Sequence, residues 1–167
     1  MKGKIFNAQE VQAIIAGNKT MFREIVKRKK TVWQYKLNEN GIREIPYPYQ
    51  LGQKIFCKES FWEAGGKIIY KADYESYKPI SPWRRAMKQE HSRLTLLIKE
   101  IRAERLQELT FGGAIREGAS ATFEGGYNGE MLLEKFKSNW NATHKKPEEK
   151  FEASPWVWCV SFEVINN

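Results

Sequence analysis

Lys19, Thr20 and Arg23 follow a glycine stop in the run Gly17-Asn18-Lys19-Thr20-Met21-Phe22-Arg23. A lysine is a compact point charge, an arginine a planar fork matched to phosphate or carboxylate, and a threonine supplies a hydroxyl donor, so the run reads as a candidate anion site. The end of a helix also attracts cations through its dipole alone, and both readings stand at this level. Glu117 closes the segment FGGAIRE ahead of Gly118. An acid in a last helical turn opposes the dipole, so Glu117 is either a surface residue or faces something else. A third group is Trp83 beside Arg84 and Arg85. Aromatic stacking on a base contributes about 1–3 kcal/mol, and the arginines suit phosphate. Trp156 and Trp158 lie two apart and share one strand face, with at least one expected in the core.

Other chemistries lack their residues. Two cysteines, Cys57 and Cys159, lie in apolar strand-like runs and read as buried free thiols. The two histidines, His91 and His144, are far apart, and each reads as a surface or hydrogen-bonded polar residue. No zinc spacing, P-loop, dinucleotide fingerprint or nucleophile elbow is present, so no metal and no cofactor is expected.

The elements that must carry these residues follow from capping and periodicity. Residues 7–17 read as a helix, with Asn7 and Glu10 as a capping box and Gly17 as its stop. Residues 31–37 alternate like a strand, with a hairpin turn at Asn40-Gly41. Residues 53–62 read as one strand, and Gly65-Gly66 turns into a partner over 67–71. Residues 74–91 read as a loop. The run SRLTLLIKEIRAER over 92–105 fits a strand through Leu94, Leu96 and Ile98. Thr110 caps a helix over 111–117. Residues 119–129 are glycine-rich and predicted to be mobile, a candidate lid. A helix over 129–140 and a strand over 156–164 complete the chain. Five or six short strands with scattered helices make a mixed, mainly antiparallel α+β domain, partly closed as a barrel.

The chain has 167 residues and a net charge of +8. The length suits one domain, and the charge favours a polyanionic partner such as nucleic acid. The first residues, MKGKIFNAQEV, lack the apolar core of a signal peptide, and no segment reaches the roughly 18 apolar residues a membrane helix needs. A cytoplasmic setting without membrane contact is the expectation. The oligomeric state is not readable.

Six segments in order resemble the ASCH domain proteins of phages and prophages: AIIAGNKTMFR, QLGQKIFCKESFW, IYKAD, SRLTLLIKEIRAERLQELT, AIREG and SPWVWCVSFEVI. The resemblance spans nearly the whole chain and implies a single domain over 1–167, a PUA-like β-barrel with flanking short helices and a cleft near the Lys19 loop. It implies RNA, single-stranded nucleic acid or a modified nucleoside as ligand, with Lys19 and Arg23, and with them Arg84, Arg85 and Arg93, on phosphates and Trp83 or Tyr47 stacking on a base. Two enzymatic alternatives come with it: a ribonuclease, and an amidohydrolase acting on an N4-acylated cytidine. The catalytic candidates are Lys19, Thr20 and Glu117; the ribonuclease would use Glu117 as base with Lys19 and Arg23, and the amidohydrolase a water activated by Glu117 and Lys19. The family's nucleophilic threonine falls on Phe22 here, which has no oxygen to attack with, and LGQ replaces the usual proline-glycine-aspartate. A third alternative is a phage accessory protein that binds a host protein.

Overall fold

The chain lays two apolar faces on one sheet. In a computed structural model, which describes residues 1–27, 36–37, 43–44, 47–74, 82–119 and 129–165, the elements run β1 (Lys2–Ile5), α1 (Ala8–Ile15), β2 (Met21–Ile25), β3 (Lys36–Leu37), β4 (Arg43–Glu44), β5 (Lys54–Lys58), β6 (Phe61–Ala64), β7 (Lys67–Tyr70), β8 (Thr95–Arg105), α2 (Phe111–Arg116), α3 (Gly129–Thr143) and β9 (Trp156–Ile165). The main sheet has the order β1-β5-β8-β9-β2, and β3-β4 and β6-β7 form separate two-stranded ribbons. Among the described residues only the β1–β5 pairing is parallel.

Alternation along β9 separates the faces. Trp158, Val160 and Phe162 enter a core with Phe6, Val11, Ile14, Phe22, Ile55 and Ile98, under α1. Val157 and Cys159 enter a second core with Met21, Leu106, Ala114, Phe136 and Trp140, under α2 and α3. This corrects the expected barrel: among the described residues the sheet is open, with β1 and β2 at its edges. A barrel has one apolar interior, whereas here helices cover both faces, so the strands need no closure to bury their side chains.

A β-bulge between Ile98 and Glu100 decides which residues meet. Ile98 pairs with Phe162, yet Glu100 pairs with Ser161, so Lys99 is the extra residue. Without it Glu100, Arg102 and Glu104 would follow Leu96 and Ile98 into the first core. With it Ile101 continues that core, and the three charged residues face the α2–α3 side.

The helices begin as their caps dictate. Asn7 Oδ1 accepts from Glu10 N at 2.9 Å while Glu10 Oε2 accepts from Asn7 N at 2.9 Å. Thr110 Oγ1 accepts from Gly113 N at 3.1 Å. The single strand expected over 53–62 is two strands, β5 and β6, in different sheets, with the pairing interrupted at Glu59-Ser60. The turn expected at Asn40-Gly41 and nearly all of the segment 119–129 lie outside the described residues, as does most of the strand expected over 31–37. Cys57 and Cys159 are buried free thiols. No helix among the described residues is long and apolar enough to cross a membrane.

Candidate functional site

Lys19 and Glu117 meet as a short antiparallel bridge between the start of β2 and the end of α2. The chain reaches this point because Gly17 and Gly118 both take positive φ, 75° and 84°, which ends α1 and α2 side by side. Lys19 Nζ donates to the Glu117 backbone oxygen at 2.9 Å and to Glu117 Oε2 at 3.2 Å, and lies 3.5 Å from Glu10 Oε1. Glu10 thus serves both the α1 cap and the site.

Arg23 continues the chain of charges. Its Nη1 donates to Glu117 Oε1 at 2.8 Å, and its Nη2 and Nε donate to Glu104 Oε1 at 2.7 and 3.2 Å. Arg102 Nε donates to Glu104 Oε2 at 3.1 Å and Arg102 Nη1 to Glu100 Oε1 at 3.2 Å. Glu100 Oε2 accepts from Ser161 Oγ, which itself accepts from Arg116 Nη2. Burial opposes the charge on Arg23, but Glu117 and Glu104 outweigh it and raise its pKa. Burial pushes the Glu104 carboxyl up, and the hydrogen bond from Arg23 leads the effects that bring it below the usual carboxylate range. Each buried charge is therefore paired, as a low-dielectric site requires.

Exposure is graded along this network. The side chains of Lys19 and Arg23 are 2% and 1% exposed, against 10% for Glu117 and 35% for Glu10. The carboxylates, not the cations, face the opening. They sit in an open cleft of about 1530 Å³ that runs along the outer side of β2 between α1 and α3. One wall is an aromatic ladder on α3. Phe136 and Trp140 are stacked at 5.9 Å, Trp140 and His144 at 3.9 Å, and the Arg23 guanidinium lies 5.9 Å from the Phe136 ring. Farther along the cleft Tyr47 packs on Trp158 at 4.8 Å, and Lys4 is paired with Glu24, which also accepts from Tyr49 Oη at 3.1 Å.

The structure brings Lys19, Arg23 and Glu117 together in this cleft, places Tyr47 farther along it, and leaves Thr20, Trp83, Arg84, Arg85 and Arg93 outside its lining. Thr20 does not line it; its backbone N donates to Arg116 O at 2.9 Å. Phe22 points to the opposite face, into the first core against Phe6 and Tyr49. Arg84 is bridged to Phe61 and lies 3.5 Å from Glu63; Arg85 is exposed and Trp83 half-buried. Arg93 forms a separate cluster. It forks onto Glu59 at 2.9 and 3.0 Å, reaches Asp73 at 2.8 Å, and lies over Tyr70. Burial drives the Glu59 carboxyl upward against the pull of Arg93. His91 differs from expectation: its Nδ1 is buried and has no hydrogen-bond partner among the described residues.

Sequence reasoning missed Glu104, the site role of Glu10, and the Trp140–His144 wall. The spacing of Ile98 and Ile101, three apart in a strand, is the signal that marks the bulge and hence Glu104. Among the described residues no group of three or more His, Cys, Asp or Glu is arranged to hold a metal.

No family model matches the sequence, and no curated protein does. The fold is similar to solved structures across 99% of the chain. One is a protein of Enterococcus faecalis V583 from the family model DUF984, with 12% identity, 82% of that chain covered and a TM-score of 0.50. Another is an ASCH domain from Lactobacillus crispatus JV V101, with 11% identity, 80% covered and a TM-score of 0.46. A third is the hypothetical protein PH0355, with 15% identity, 100% covered and a TM-score of 0.44. At these identities the likeness concerns the fold alone.

Proposed function

We propose that the β2 cleft binds a nucleobase, either of single-stranded RNA or of a modified nucleoside, with Glu117 as the polar group that meets the base. The observation that supports this most is the pairing of a fixed, partly exposed carboxylate with an aromatic wall in one cleft. Glu117 is held from below by Lys19 and Arg23, while the largely buried Phe136 and Trp140, stacked on each other, and the half-buried His144 contribute an aromatic lining. Lys19 and Arg23 act here through Glu117 rather than on phosphate, because carboxylates already take their donors. Exposed Lys27, at the cleft, and Arg84 and Arg85, elsewhere, supply phosphate attraction. The ASCH resemblance of the sequence points the same way.

Binding is favoured over covalent hydrolysis because Phe22 is a core residue and Thr20 does not line the cleft. The test is titration of labelled single-stranded RNA at two salt concentrations with wild type and Glu117→Gln, each endpoint also run on a denaturing gel. Affinity that falls with salt and with the substitution, over intact RNA, is the expected result. Shortened RNA in wild-type lanes alone moves the assignment to a ribonuclease with Glu117 as base. No binding at either salt overturns the RNA reading.

A further inference from the structure

We infer that the cleft selects a base presenting two adjacent N–H donors, the edge that guanine carries at N1–H and the 2-amino group. This rests on the nucleobase reading above and adds to it a rule of choice. Donors and acceptors at the floor of the cleft set the choice. Lys19 has three N–H groups: two go to Glu117 and the third side is taken by Glu10 at 3.5 Å. Arg23 engages two carboxylates and is sealed from solvent. The cations therefore present no accessible donor to a ligand.

The carboxylate is different. Among the described residues, Glu117 Oε1 accepts one hydrogen bond, from Arg23, and Oε2 accepts one, from Lys19. A carboxylate oxygen has two lone pairs, so each retains one. The head is fixed from two directions, which leaves both remaining lone pairs set for a bidentate donor, the same fork geometry that makes arginine–carboxylate pairs specific. Glu10, more exposed and next to Lys19, adds a further acceptor.

Guanine matches this floor with two parallel N–H groups. Hypoxanthine keeps N1–H but lacks the second donor. Adenine sets its amino group beside a ring acceptor, and cytosine does the same. Uracil has one N–H flanked by two carbonyl oxygens, which would face the carboxylate. A buried acceptor left without its donor is penalised more than a lost bond in water, so the discrimination is large for a small change in the ligand.

The experiment uses the unmodified protein and seven-nucleotide RNAs of uridines with one central guanosine, inosine, adenosine or uridine, together with free guanosine and inosine. Fluorescence anisotropy reads the oligomers and calorimetry the nucleosides. The expected result is guanosine tighter than inosine by about tenfold or more, from the missing charge-assisted bond. Preference in both the oligomer and nucleoside arms identifies the base itself as the ligand. Preference in the nucleoside arm alone identifies a free nucleoside. Binding with equal affinity across the oligomers and equal affinity for guanosine and inosine overturns the donor rule while leaving base binding in place. Failure of every probe overturns the donor rule and the nucleobase reading together. Glu117→Gln, with its melting temperature measured alongside, is expected to erase the guanosine–inosine difference. A purely structural Glu117 would lower stability and leave that difference intact.

Discussion

Replacing Arg23 with methionine tests whether the buried network is held as the geometry requires. Methionine keeps most of the volume and removes the charge. Arg23 makes three hydrogen bonds to two carboxylates, and its side chain is 1% exposed. After the change Glu117 keeps only Lys19 as a charged partner, and Glu104 keeps only Arg102 beside a hydrogen bond from the Cys159 thiol. Breaking one partner out of a buried pair costs about 3–5 kcal/mol, because the remaining charge stays desolvated. For a domain of this size each kcal/mol moves the melting temperature by about 2–4 °C, so Arg23→Met should melt roughly 6–20 °C lower. The exposed pair Arg84–Glu63, at 3.5 Å, is the internal control. Arg84→Ala should change stability by less than about 1 kcal/mol. Thermal unfolding followed by circular dichroism measures both. Adding Glu117→Gln and Glu104→Gln to Arg23→Met should restore part of the loss, since neutral partners carry a smaller desolvation cost. If Arg23→Met melts within about 2 °C of wild type, the network is neither dry nor tightly coupled.

Acid should weaken the fold partly through Glu104. Its folded pKa is depressed, so its contribution is present above the ordinary glutamate value and is lost as pH falls through the folded one. The stability gap between wild type and Glu104→Gln should therefore narrow from pH 7 to pH 3 in urea titrations; a constant gap would refute the assignment. Gly118→Ala should destabilise by about 1 kcal/mol or more, because φ is 84° and a Cβ there would stand 3.1 Å from Ala13 and Lys19 carbons. Urea midpoints measure this, and a neutral effect would mean that the α1–α2 junction relaxes freely. Burial leads the effects that push the Cys159 thiol up to about 12, so it should resist thiol reagents at pH 8 until the protein is unfolded. Rapid labelling in native buffer would contradict the buried second core.

Local sequence already carried most of the element plan. Asn7 with Glu10, Thr110, Gly17 and Gly118 mark helix ends through hydrogen bonds or backbone angles that act within a few residues, and they stand where their types require. The alternation of Trp158, Val160 and Phe162 fixes one face of β9 by period alone. The pairing of Lys19 with Glu117, 98 positions apart, was not legible from local pattern; only the family resemblance put the two in one site. Sequence types also identified Arg23 as a fork, but not that Glu117 and Glu104 would occupy it. That choice belongs to the tertiary structure. The bulge at Lys99 turns Glu104 toward Arg23, and two helices on opposite faces keep the sheet open rather than rolled. Charge on a chain states only that a partner is needed. Burial and register decide whether that partner is a phosphate from solution or a carboxylate from the same molecule.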